Sequence, residues 1–218
     1  MTKSLLNAQQ KRFIDFFCTR NELYDKFYFS GGTALSEYYL HHRYSEDLDF
    51  FSETEIESVD LSIFLTTHRK EFGAKQIKYT QSFNRNIFFI TCEEDQILKV
   101  EFTYYPFKRI EKGLQEGKLI IDSALDIAVN KAFTLMQQAR GRDYFDLYML
   151  YHKYGFDFLD LLKKARQKFD YQINYLELGK NLVKVCSFLD DPILIIDIDR
   201  NLIENYFLDI SKNLELLK

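Results

Sequence analysis

The chain has little that bends or breaks a polypeptide. Two prolines and eight glycines among 218 residues argue against a long flexible linker. Its three cysteines, Cys18, Cys92 and Cys186, are far apart and odd in number. That argues against a disulfide framework and fits reduced thiols in a cytosolic protein. There is no Cys-x-x-Cys pair, hence no zinc ribbon. No apolar run approaches the ~20 residues that cross a bilayer, and the first residues lack the apolar centre of a signal peptide. The expectation is a cytoplasmic protein with no membrane partner. A basic excess is missing too. Lys and Arg number 29 against 33 Asp and Glu, a formal net charge of −4, so no general attraction to nucleic acid is expected. A local basic patch, and with it an RNA partner, stays open.

What is present is core material. Residues that are 46% hydrophobic and 17% aromatic can fill one large domain or two small ones. No internal repeat or low-complexity segment occurs. The first part alternates element types. Residues 4–18 read as a helix with Leu5, Leu6, Ile14, Phe16 and Phe17 facing a core, and residues 61–72 as another. Runs at 76–80, 87–91 and 97–103 read as strands, and Pro106 stops the last. Residues 118–121 read as a further short strand. From Asp122 the pattern is helical: Leu125, Val129, Ala132, Leu135, Met136 and Ala139 recur at helical spacing. Gly141 is expected to end that helix and Asp143 to cap the next. Further helices are expected over 158–169, 176–189 and 198–217, with Pro192 between the last two. The fold class is α/β (α+β): a mixed sheet with flanking helices over 1–117, then a helical bundle over 118–218.

The most informative stretch lies at 26–51. Lys26, Phe27, Tyr28 and Phe29 read as a short buried strand. Gly31 and Gly32 then allow a tight turn and close approach of a ligand to the backbone. A helix follows from Thr33 to about His42, with Ala34, Leu35, Tyr38 and Tyr39 on its apolar side. Its N-terminal N–H groups suit a phosphate. Next, Asp47 and Asp49 stand two apart within an apolar run that includes Leu48, Phe50 and Phe51. In a strand such a pair points to one face. Two like charges there repel unless a cation lies between them, and carboxylate oxygens suit Mg²⁺ (or Mn²⁺) on a phosphate chain. A glycine turn alone, or an Asp-x-Asp alone, is commonplace; the two in this order point to a metal–phosphate site.

Gly-Gly-Thr-Ala-Leu at 31–35, followed by His-Arg-Tyr-Ser-Glu-Asp-Leu-Asp-Phe-Phe at 42–51, closely resembles the AbiEii-type nucleotidyltransferases. These are abortive-infection and toxin–antitoxin enzymes of the DNA polymerase β-like superfamily. Asp-Ile-Ala-Val-Asn-Lys at 126–131 and Arg-Gly-Arg-Asp-Tyr-Phe-Asp-Leu-Tyr at 140–148 fit the same family. The resemblance runs from about residue 25 to 150, and the tail beyond about 155 carries no motif of it.

The resemblance implies roles. A third carboxylate from a later strand completes the metal site in this superfamily and helps deprotonate the attacking hydroxyl. Glu101 is the best-placed acid, so Asp47, Asp49 and Glu101 are the expected metal ligands; the alternative for Glu101 is a solvated strand residue. Lys99 shares its face and can pair with it or approach phosphate. Lys131, which by spacing alone would snorkel to solvent, matches a family lysine that neutralises triphosphate charge. Asp146 matches a required aspartate, and Asp143 lies on the same helical face. Gly31, Gly32, Thr33, Arg43 and Ser45 are the expected nucleotide contacts. Arg43 is expected to meet phosphate or pair with Asp47 or Asp49. His41 and His42 are expected to close the preceding helix, without the spacing of a zinc site. Arg140 and Arg142 can line a phosphate or RNA path. Tyr104 and Tyr105 can stack on a base.

The implied function is transfer of a nucleoside monophosphate from an NTP, bound between the two parts of the chain, to an acceptor. In related toxins the acceptor can be the 3′ end of tRNA, and a cognate antitoxin protein is the implied partner. Alternatives are a protein or small-molecule acceptor, a binding module without turnover, and an interaction domain whose acids are merely surface.

Overall fold

In a computed structural model, the structure describes residues 3–92, 95–187 and 192–214. The chain divides into two compact units. One comprises Met1–His41 and Ser45–Ser123; the other comprises His42–Tyr44 and Ala124–Lys218.

The first unit is built on a five-stranded sheet. Its strands are β1 (Tyr28–Ser30), β2 (Leu48–Ser52), β3 (Gln76–Ser82), β4 (Arg85–Thr91) and β5 (Ile97–Tyr104). They are ordered β1-β2-β5-β4-β3. Only β2 and β5 run parallel; the other pairs are antiparallel. Before the sheet come α1 (Ala8–Cys18) and the single turn α2 (Asn21–Tyr24); α3 (Gly31–Leu35) follows β1, and α4 (Ser58–Thr67) follows β2. The first expected helix is shorter at its start, because Asn7 caps it with a reciprocal Asn7–Gln10 capping box. The second ends at Thr67 rather than at Phe72.

Phe50 and Phe102 are register partners on β2 and β5, and they stack at 5.2 Å between ring centroids. Phe17 of α1 stacks on Phe50 at 4.4 Å, and Phe13 meets Phe72 edge-on at 5.2 Å. This aromatic core occupies one face of the sheet. By the period of two, Asp49 and Glu101, one residue away on each strand, must point to the other face.

A two-stranded hairpin, β6 (Gln115–Glu116) with β7 (Leu119–Ile120), closes the unit. Ile121 bridges Phe29, and the buried Asp122 accepts the Ser30 hydroxyl at 2.8 Å.

The second unit holds α5 (Ala124–Gln137), α6 (Gly141–Tyr154), α7 (Phe158–Phe169), α8 (Tyr175–Val183) with a 3₁₀ turn over Lys184–Ser187, and α9 (Arg200–Asn213). The expected extensions to residues 188–189 and 215–217 lie outside the described residues. Helix α5 packs against α6, α7 and α8. Asn181 of α8, fully buried, donates to the carbonyls of Leu135 and Met136 at 3.0 and 3.1 Å, satisfying the end of α5. Tyr144, Phe158 and Phe207 fill the interior. The short excursion His42–Tyr44 pairs with Ile193 and Ile195 through two 2.9 Å backbone hydrogen bonds. No helix among the described residues is long and apolar enough to cross a membrane.

Candidate active site

Strand β1 runs into the glycine turn. Gly31 has φ +74°, and a Cβ there would lie 2.1 Å from Asp49 Oδ2. Two requirements thus converge on one glycine: a left-handed backbone and room for the Asp49 carboxylate. After α3 the helix widens into a five-residue π-helical turn, Ser36–Leu40, and stops at His41 with φ +52°.

The register assembles the acids. Asp49 lies between Ser30 on β1 and Glu101 on β5, so the two carboxylates are neighbours on one face of the sheet. Asp47, two residues earlier, is held through its backbone. Its carbonyl accepts the Thr33 hydroxyl, and Gln10 Nε2 donates to the carbonyls of Ser45 and Glu46 at 2.8 and 3.1 Å. Thr33 and Ser45 were expected as phosphate contacts; here the Thr33 hydroxyl and the Ser45 carbonyl fix the approach to Asp47. Gln10, nearly fully buried, carried no sequence signal for this task.

Cations of the protein sit on these acids. Lys99 Nζ is 2.7 Å from Asp47 Oδ2 and 3.4 Å from Glu101 Oε2. Arg85 clasps Glu101 with two hydrogen bonds, Nη2 to Oε2 at 2.7 Å and Nε to Oε1. Burial works to raise the Glu101 carboxyl, but Arg85 and Lys99 outweigh it and hold Glu101 below the usual carboxylate range. Burial likewise opposes the charge of Lys99, and its carboxylate partners overcome it and raise the ammonium.

Among the described residues, no three His, Cys, Asp or Glu side chains are gathered as a ready metal site. The donor chemistry nonetheless fits Mg²⁺ or Mn²⁺. The ligands on offer are the hard carboxylate oxygens of Asp49 on β2, Glu101 on β5 and Asp47 just before β2, and Lys99 bridges Asp47 and Glu101 as a cation already.

The remaining expected residues form a buried network in the second unit. Asp146 is fully buried and accepts from Arg43 Nε at 2.6 Å and Nη2 at 2.8 Å. Lys131 Nζ lies 2.6 Å from Asp146 Oδ2 and 3.0 Å from Asp143 Oδ1. His42 Nε2 is 2.6 Å from Asp146 Oδ1. Arg43 therefore pairs with Asp146. His42 does not close a helix; it is a buried member of this network. Asp143 does not cap α6 either. The cap position is Arg140, which makes no side-chain cap, and the Asp143 carboxylate instead receives Lys131 and Arg140, the latter at 2.7 Å. Gly141 opens α6 rather than ending α5.

Burial works to raise Asp146, but Arg43 and Lys131, with hydrogen bonds from Arg43 and His42, hold it well below the usual carboxylate range. Asp146 is thus an acceptor only, so His42 donates from Nε2 and its Nδ1 is the unprotonated nitrogen. That Nδ1 is buried with no hydrogen-bond partner among the described residues. Burial pushes the His42 pKa down, and the Arg43 and Lys131 charges add to this against the pull of Asp146.

Comparison with known proteins agrees with these motifs. The chain is 29% identical over 161 residues, 72% of each chain, to the uncharacterized protein aq_aa25 of Aquifex aeolicus (strain VF5). Two solved structures share the fold, each with a TM-score of 0.60. JHP933 from Helicobacter pylori is 20% identical, with 98% of this chain and 94% of that one covered. A putative nucleotidyltransferase from H. pylori is 22% identical, with 98% and 99% covered. The family model for the nucleotidyl transferase AbiEii toxin of type IV toxin–antitoxin systems matches residues 15–205, so the likeness extends through the helical tail that carries no motif of its own. The chain belongs to this AbiEii nucleotidyltransferase family.

Proposed function

We propose that this protein transfers a nucleoside monophosphate from an NTP to a hydroxyl acceptor, the 3′ end of an RNA such as tRNA, and acts as the toxin of a pair with a cognate antitoxin. The observation that carries the reading is the register of Asp49 with Glu101 beside the Gly31 turn. It supports a face where acids and a glycine-lined backbone meet, the combination a triphosphate with its metal needs.

Asp47 and Asp49 would hold Mg²⁺ or Mn²⁺, with Glu101 as a third ligand. When bound, the metal supplies positive charge against the triphosphate. The backbone at Gly31 and Gly32 admits the phosphates closely. Thr33 and Gln10 keep Asp47 in place. The acceptor oxygen bonds to the α-phosphorus, the bond from that phosphorus to the β-phosphate oxygen breaks, pyrophosphate leaves, and the hydroxyl proton passes to solvent water. Glu101, clasped by Arg85, is a weak base in this arrangement, which favours its role as a ligand over that of proton acceptor. Lys131 is the cation expected to meet triphosphate charge. Its two aspartate partners, Asp143 and Asp146, hold its ammonium in place.

Thermal unfolding with each NTP plus Mg²⁺, on the wild type and Asp49→Ala, tests the nucleotide site. Binding to the folded state raises the melting temperature by mass action. A rise for at least one NTP in the wild type, lost in Asp49→Ala, is expected. No rise with any NTP at millimolar concentration would count against the site.

A further inference from the structure

The open face of the first unit's sheet continues beyond the acids. Across β3, β4 and β5, Lys78 is the register partner of Phe89, and Phe89 is the partner of Lys99. One row of the sheet thus reads Lys78, Phe89, Lys99, with Lys99 on Asp47. The next row reads Thr80, Ile87, Glu101, and the one after it holds Arg85. Phe89 keeps 37% of its surface exposed, and Lys78 is exposed. On this face β3 and β4 carry two cations and no acid, although the chain as a whole is acidic.

The turn joining β3 to β4 is unusual as well. Phe83 is 95% exposed at its tip and adopts φ +52°. A two-residue hairpin turn prefers glycine where φ is positive. A phenylalanine there is strained and fully hydrated, and packing within the chain explains neither property.

Resting on the nucleotidyl-transfer reading, we propose that the β3–β4 hairpin is the ledge that seats the acceptor, and that the acceptor it fits is a single-stranded RNA end. A base stacks on Phe89 between the two lysines. Lys78 takes a backbone phosphate, and Phe83 offers a second ring. Stacking on aromatic rings beside cations is how single strands are held with little sequence preference. The strand end then lies beside Glu101 and Asp49, where a hydroxyl must be to attack. An acidic chain with only a local basic row also accounts for the absence of a global nucleic-acid charge.

Fluorescence anisotropy of a labelled twelve-nucleotide single-stranded oligoribonucleotide with the full chain, without NTP, tests this directly. The wild type should bind. Phe89→Ser should weaken binding about tenfold. Lys78→Ala should lower the salt slope by about 0.7. Phe83→Gly should raise the melting temperature while weakening RNA binding, an opposition that a purely structural role would not produce. All three variants should retain the wild-type thermal shift with NTP and Mg²⁺. Absence of RNA binding by the wild type, or equal binding by all variants, would overturn the proposal. Loss of the NTP shift in the wild type would instead sink the nucleotidyl-transfer reading and leave the RNA result standing alone.

Discussion

Asp146 receives Arg43 through two hydrogen bonds from one guanidinium, at 2.6 and 2.8 Å, with both side chains buried. The pair joins residues 103 apart in sequence. The pair ties the short His42–Tyr44 excursion to α6 within the second unit. The family motifs around Arg43 and Asp146 are thus partners within one network. Asp146 is the shared acceptor of Arg43, His42 and Lys131.

Removing one side of this network should destabilise the fold. Asp146→Ala leaves Arg43 and Lys131 buried without their shared anion, and losses of this kind cost about 3–5 kcal/mol. Urea unfolding should show it as a lower midpoint with an unchanged slope. Asp146→Ala with wild-type stability would show that the network is not structural.

The pH dependence has a definite sign. Folding lowers the His42 pKa below its ordinary value of about 6.5. The unfolded chain therefore binds more protons as pH falls below about 6.5. The His42 contribution is present above that value and lost as pH drops, by at most about 1.4 kcal/mol per pH unit. Unfolding midpoints between pH 7.5 and 5 should fall for the wild type and fall less for His42→Gln. Parallel curves would contradict the assignment of a neutral His42.

Gly31 and Gly117 both have positive φ, +74° and +57°. Only at Gly31 would a side chain strike the Asp49 carboxylate; at Gly117 nothing lies within 4 Å. Gly117→Ala should cost only backbone strain, about 1 kcal/mol. Gly31→Ala should cost more and also abolish the NTP-dependent thermal shift. Equal effects of the two substitutions would mean that the close approach of Asp49 is unimportant.

Lys99 occupies oxygens that a divalent ion would use. Lys99→Met should therefore strengthen Mg²⁺ binding to the nucleotide-free protein, measured by titration calorimetry, while lowering stability by no more than about 1 kcal/mol for a part-exposed pair. Unchanged Mg²⁺ affinity would place the ion elsewhere.

Much of this was legible in the sequence because it is local. Helical spacing put Asp143 and Asp146 on one side of α6, where both receive Lys131, whereas Asp47 stands just before β2 and is not placed by the period of two. Strand alternation turns Glu101 away from Val100 and Phe102, and the register sets it beside Asp49. What escaped depends on distant pairing. Nothing near Arg43 or His42 in sequence names Asp146, and nothing near Glu101 names Arg85. Asp143 reads as a cap from its position, yet a buried lysine and Arg140 claim its carboxylate. Gln10 carries no mark in the sequence, and its hold on the loop before Asp47 appears only in the folded chain.

Nucleotidyl transfer at the Asp47, Asp49 and Glu101 face would move the α-phosphate of the NTP and leave the γ-phosphate in pyrophosphate. The most direct test incubates the protein with Mg²⁺, cellular RNA and each NTP labelled at either the α- or the γ-phosphate. The α-label, and not the γ-label, should become attached to RNA, with pyrophosphate released, and Asp49→Asn should abolish the transfer. Attachment of γ-label, or α-transfer undiminished in Asp49→Asn, would contradict nucleotidyl transfer at this face.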